Sequence, residues 1–183
     1  MSRIDPVSTR VLGVDPGVSE TGWAVLEGGP GSETALIASG VIRTSPATEL
    51  PARLLDINAR VSDLIAEFRP DDFAIEEMFF IKIANTIRAT LQARGVILLA
   101  AAEHNTPVHE YNPRIVKAAL TGSGSAPKAQ IQKMVQSALR LKKRLTPNDV
   151  ADAAAIGVCH LRRSRLKRMT VLEKIGGTPD KRK

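Results

Sequence analysis

Four carboxylates sit where the surrounding sequence disfavours charge. Asp15 closes the apolar run Val11-Leu12-Gly13-Val14 and is followed at once by Pro16-Gly17. Glu76 closes "FAIE" at 73–76. Asp149 and Asp152 lie three residues apart in "TPNDVADAAAIGV", a spacing that puts both on one helix face, one turn apart. Singly, most have an ordinary explanation: a turn opener for Asp15, a solvent-facing strand end for Glu76, a dipole-favourable first turn for Asp149 behind Thr146 and Pro147. Asp152, deeper in an Ala/Val/Ile helix, resists one. If the four converge, their repulsion raises their pKa values and destabilises the metal-free fold. A hard divalent cation relieves it. Mg2+ favours carboxylate oxygen and leaves room for phosphate, and Mn2+ accepts the same ligands. Two such ions about 4 Å apart clamp the attacking and leaving oxygens of a phosphodiester. Asp15, Glu76, Asp149 and Asp152 are therefore the expected catalytic and metal-binding residues. The three histidines, His104, His109 and His160, lie in no nucleophile motif, and Cys159-His160 lacks a second Cys/His pair to complete a metal site.

These acids need a frame that brings them together. Segments 10–15, 22–27 and 34–43 read as strands rich in Val, Ile and Leu, joined by short glycine-containing links that favour an antiparallel meander. Over 52–69, Leu54, Ile57, Val61, Leu64, Ile65 and Phe68 recur at helical spacing, and Pro70 stops the helix. "DFAIEE" reads as a fourth strand, 83–102 as a long helix apolar on several faces from Val96 onward, and "PVHEY" at 107–111 as a fifth strand. Helices are expected at 113–120, 127–140 and 148–163, with "TGSGSAP" as a flexible break and Pro127 opening the helix after it. The order predicts an α/β domain: a five-stranded mixed sheet flanked by helices. Parallel neighbours put the ends bearing Asp15 and Glu76 on one edge, where ligands gather. Residues 1–9 read as an N-terminal extension, 10–163 as the folded domain and 164–183 as a flexible basic tail.

At 183 residues and 43% apolar content, one domain with a real core is expected, and the 3% aromatic share leaves Val, Ile, Leu and Ala to build it. No secretory h-region is visible, and "VILLAAA" at 96–102 is too short to span a bilayer. The single Cys159 excludes an internal disulfide framework and suits a reducing cytoplasm. The whole net charge of +7 falls in residues 161–183; residues 1–160 balance. Within that balanced body the signs segregate. Arg114, Lys117, Lys128, Lys133, Arg140, Lys142, Lys143 and Arg144 occupy a stretch from Tyr111 to Asn148 that holds no acid, whereas acids dominate from Glu49 to Glu77. Such separation suggests a polyanion-binding face, although charge runs also mark solvated helix faces.

The same residues carry a further pattern. "LGVDPGVSETGWAVL", "FAIEEMFF", "LQARGVILLAA", "GSGSAPKAQIQKMV" and "DVADAAAIGVCH" together resemble the RuvC family of Holliday junction resolvases, in order and over residues 10–163. The resemblance implies a ribonuclease H-like fold, a homodimer, and Mg2+-dependent symmetric nicking of four-way junction DNA in recombination and repair. It implies branch-migration proteins as partners. Mapped onto this chain, it makes Asp15, Glu76, Asp149 and Asp152 the catalytic carboxylates and Phe79 a DNA-binding aromatic. Phe80 is an alternative to Phe79, and base stacking on either ring is worth about 1–3 kcal/mol. Lys117 and Lys128 match basic positions near the active site, suited to binding phosphate or stabilising charge on a leaving oxygen. Arg114, Lys133, Lys142, Lys143 and Arg144 are further phosphate contacts or solvated surface. The "DPG" opening is also similar to that of YqgF-like RNA-processing nucleases, and "DPGVSETG" resembles the first phosphate loop of actin-like nucleotide-binding proteins. The chain has neither the second loop nor the length of the latter.

Overall fold

The computed structural model describes residues 8–29, 32–77 and 85–176. Strands β1 (Thr9–Asp15), β2 (Glu20–Gly28) and β3 (Ala35–Arg43) form the expected meander. Helix α1 (Leu50–Phe68), strand β4 (Asp72–Glu76), helix α2 (Asn85–Glu103) and strand β5 (Val108–Tyr111) follow. Helices α3 (Pro113–Thr121), α4 (Lys128–Ala138) and α5 (Asn148–Gly176) complete the order. The five-stranded sheet runs β3-β2-β1-β4-β5, with β1, β4 and β5 parallel and the β1–β2 and β2–β3 pairs antiparallel.

The pleat explains how the core divides. Successive strand residues point to opposite faces, so Leu12 and Val14 of β1 join Phe73 and Ile75 of β4 on one side. There they meet Ile57, Val61 and Ile65 of α1 and Ala93, Ile97 and Ala100 of α2. On the other side Val11, Leu26, Ala74 and Tyr111 pack against α3, α4 and α5 through Val116, Leu120, Ile131, Val135 and the run Ala153–Ile156. The α1 stripe read from the sequence is this buried face. By the same alternation Asp15 and Glu76 lie on the α5 side of the sheet.

Helix α5 passes very close to the strands, and small residues permit it. A Cβ on Gly13 would stand 2.4 Å from the Ala153 carbonyl oxygen, and one on Gly22 would stand 2.0 Å from that of Asp149. Gly22 thus makes room for the first turn of α5.

Two boundaries differ from expectation. Pro127 caps α4 from outside, with φ −69° and ψ 153°, and the helix starts at Lys128. Helix α5 continues to Gly176, beyond the limit at 163, so the basic stretch begins as helix. The apolar pattern that marks the end of a helix packed on a sheet fades there, but nothing in the sequence breaks the backbone before Gly176-Gly177. No described helix is long and apolar enough to cross a membrane.

Candidate metal centre

Val14 of β1 pairs with Ile75 of β4 in parallel register, so Asp15 and Glu76 leave the sheet side by side at its carboxyl edge. The first turns of α5 cross that edge, where Val150 N–H donates to the Pro147 carbonyl. One carboxylate oxygen from each of Asp15, Asp149 and Asp152 lies within 4.8 Å of the others. Glu76 lines a cleft of about 230 Å³ with Asp152, Lys117, Lys128, Pro113, Val116 and Ile131. The sequence-predicted carboxylates therefore converge.

Their electrostatics record the convergence. Burial, then the charges of Glu76, Asp152 and Asp149, push Asp15 from 3.8 up to about 8, with Lys128 opposing. Burial and Asp152 push Glu76 up against the pull of Lys117 and Lys128. Burial also raises Asp149, helped by a hydrogen bond with the Glu20 carboxyl. Lys128 Nζ sits 2.7 Å from Asp152 Oδ2, and that bond holds its ammonium charged. An oxygen-only donor set with excess negative charge fits a hard divalent cation.

The loop after Asp15 is fixed from several sides. Thr21 Oγ1 donates to the Gly17 carbonyl at 2.6 Å. Arg53 of α1 donates through Nη2 to the Val18 carbonyl at 3.1 Å and to Ser19 Oγ at 2.9 Å. Glu20, beside Asp149, is also held by Arg43 at 2.9 Å. Arg94 of α2, paired with Glu110, points Nε at the Glu76 carbonyl from 3.4 Å. Sequence reading passed over Glu20 and Arg94. Their roles depend on partners 129 and 18 residues away in the chain respectively, and nothing local in the sequence marks either one.

The remaining expected contacts separate. Lys117 and Lys128 reach the cleft. Arg114, Lys133, Lys142, Lys143 and Arg144 are exposed on α3, on α4 and in the link to α5, away from its lining. Phe79 and Phe80 lie outside the described residues.

A mixed sheet of this order, with helices on both faces and a cluster of carboxylates at the edge where β1 and β4 end, defines a ribonuclease H-like nuclease of the metal-dependent class. The RuvC crossover junction endodeoxyribonuclease model matches residues 11–160. The crossover junction endodeoxyribonuclease RuvC of Salinispora arenicola is 48% identical over 152 residues, covering 83% of this chain and 87% of that one. That of Mycolicibacterium vanbaalenii is 44% identical over 167 residues, 91% of this chain and 86% of the relative. The Thermus thermophilus RuvC structure in complex with a Holliday junction substrate superposes with a TM-score of 0.82 at 35% identity, covering 87% of this chain and 96% of that one. Yeast mitochondrial resolvase Ydc2, at 15% identity and TM-score 0.67, shares the fold. The chain belongs to the RuvC family of crossover junction endodeoxyribonucleases. A match of this extent decides against the YqgF-like and actin-like alternatives.

Proposed function

We propose that this chain resolves Holliday junctions in DNA recombination and repair. Acting as a homodimer in the cytoplasm, it nicks two strands symmetrically, with Asp15, Glu76, Asp149 and Asp152 as catalytic metal ligands. The carrying observation is the carboxylate edge itself, with Asp15 pushed up to about 8 by burial and three other acids. Two Mg2+ ions, or Mn2+ in their place, fit that donor set. When bound, they supply Lewis acidity to the scissile phosphate and make water a stronger nucleophile.

The chain's own residues supply the rest. Asp15 and Glu76 are delivered by a rigid sheet, and Asp149 and Asp152 by a helix locked against it, so the ligands are preorganised. Lys128 holds Asp152 in place and presents a fixed positive charge to the cleft. Lys117, on the wall near Glu76, is the second cation. Both suit a phosphate oxygen or the negative charge that grows on the leaving oxygen. A two-fold dimer matches a junction's own symmetry. Exposed Leu55 on α1 and Leu99 on α2 give that dimer apolar surface, on helices tied together by Asn58 Nδ2 donating to the Val96 carbonyl at 3.1 Å. Branch-migration proteins are the partners expected to present the junction.

The test is cleavage of a synthetic four-way junction with Mg2+ or Mn2+. Wild type is expected to give paired nicks, and Asp15→Asn to bind the junction yet lose cutting by at least about a thousandfold, as when several ligands act as a unit. Wild-type cutting by Asp15→Asn sinks the metal assignment.

A further inference from the structure

The α5 side of the sheet carries a second cluster at the end opposite the carboxylate edge. Asp72 begins β4 and His109 is the second residue of β5, and the pleat turns both toward α5, from which His160 enters. Asp72 Oδ1 lies 2.9 Å from His109 Nε2, and Asp72 Oδ2 lies 3.0 Å from His160 Nε2. Ser164 Oγ stands 3.3 Å from the same His160 nitrogen. One donor atom from each of Asp72, His109 and His160 falls within 4.8 Å of the other two. The imidazole centroids are 4.8 Å apart with the rings tilted by 52°, so they converge without stacking flat.

We propose that Asp72, His109 and His160 form a second metal site, selective for a borderline transition-metal ion of the Zn2+ type. Donor chemistry separates it from the catalytic edge. Two imidazoles and a carboxylate, with a fourth position open to water, are a set that Zn2+ takes, whereas Mg2+ prefers oxygen alone. Tetrahedral bonds of about 2.0–2.1 Å place ligand atoms about 3.4 Å apart. The two nitrogens now face different oxygens of Asp72, Oδ1 for His109 and Oδ2 for His160, so a turn of the carboxylate is needed to bring one oxygen between them, from a starting set already within 4.8 Å. An ion here would bind each neutral imidazole through a bare Nε2, with the single ring proton on Nδ1; at His160 that proton would face the Tyr111 hydroxyl.

The surroundings meet the other requirements of a ligand set. A histidine that binds through Nε2 is oriented by a partner for its other nitrogen, and His160 Nδ1 lies 2.9 Å from the Tyr111 hydroxyl. Burial pushes that hydroxyl up to about 12, so it stays neutral and can accept from Nδ1–H. The side chains grade outward from His160 at 2% exposure through Asp72 at 22% to His109 at 43%, which leaves an entry path past His109. A bound ion pins β4, β5 and α5 together. Glu76 ends β4, and Asp149 and Asp152 ride on α5, so the pin would steady the frame that spaces the catalytic acids.

The experiment uses chelator-stripped full-length Asp15→Asn protein, which disables the oxygen site, titrated with Zn2+ and separately with Co2+. The expected result is one Zn2+ per chain, a rise in Tm that Mg2+ does not reproduce, and visible Co2+ bands of tetrahedral intensity. Adding His109→Gln, a change at a part-exposed side chain, is expected to weaken Zn2+ binding at least tenfold and abolish the Tm gain. Equal Zn2+ affinity with and without His109→Gln overturns the site. So does the absence of tetrahedral Co2+ bands in the protein with His109 intact, a readout that needs no variant of the cluster; Asp72 then serves as a hydrogen-bond bridge alone.

Discussion

Asp15 shows how far a single side chain's environment can depart from its local sequence. Its carboxyl rises from 3.8 to about 8 because burial and three neighbouring acids oppose its charge. Across that interval the native state keeps a proton that the unfolded chain has released. Metal-free stability is therefore full below about pH 4 and falls as pH climbs toward 8. Calorimetry of chelator-treated protein is expected to show Tm falling over this range. Asp15→Asn should flatten the slope and raise Tm at pH 8, by about 2–4 °C for each kcal/mol of repulsion removed. Added Mg2+ should do the same for wild type. An unchanged slope in Asp15→Asn would place the repulsion elsewhere. The four acids were legible in the sequence because each stood out of context beside apolar residues. Glu20 was not, because an exposed acid at the start of a strand with an arginine partner looks ordinary until Asp149 is seen beside it.

At the scale of elements, the distance between α5 and the sheet sets the site. Gly22 lets the first turn of α5 rest on β2, with only 2.0 Å between a would-be Cβ and the Asp149 carbonyl oxygen. Backbone cannot give way as a flexible side chain can, so Gly22→Ala must push Asp149 and Asp152 away from Asp15. Junction cleavage is expected to fall at least about a hundredfold, since a misplacement of about 1 Å costs that much. Gly95 is the matching control. It lies exposed in α2 with nothing within 4 Å of an added Cβ, so Gly95→Ala should stabilise the fold by about 0.5–1 kcal/mol. Thermal melts of the two variants check both signs. The strand and helix order was readable from periodicity, whereas the extension of α5 to Gly176 was not, since the amphipathic signal stops where packing on the sheet stops.

Across the whole molecule, charge segregation along the chain becomes segregation in space only in part. Lys117 and Lys128 enter the cleft, while Lys133, Lys142, Lys143 and Arg144 remain exposed around α4 and its link to α5. If the exposed group meets DNA phosphates, Lys142→Ala/Lys143→Ala/Arg144→Ala should weaken junction binding at low salt. The log–log salt slope should then fall in magnitude by up to about 2.7, near 0.9 per lost contact. Affinity measured across a salt series on catalytically silent protein reads this directly. An unchanged slope would leave these residues as solvated surface.

Local sequence was enough to set the alternation of strand faces, the α1 stripe and the four misplaced carboxylates, because those properties depend on neighbours within a few residues. It also carried the ordered motifs that place the chain in its family. Only the tertiary structure decided which residues share space. It brought Glu20 to Asp149 and gave Gly22 to the first turn of α5. It also joined Asp72, His109 and His160, from two strands and a helix, into one cluster. His160 looked like half of an incomplete motif because its partners lie 88 and 51 residues away in the chain. Parallel strand pairing and a helix laid across the sheet close such distances, and no periodicity in a single stretch records them.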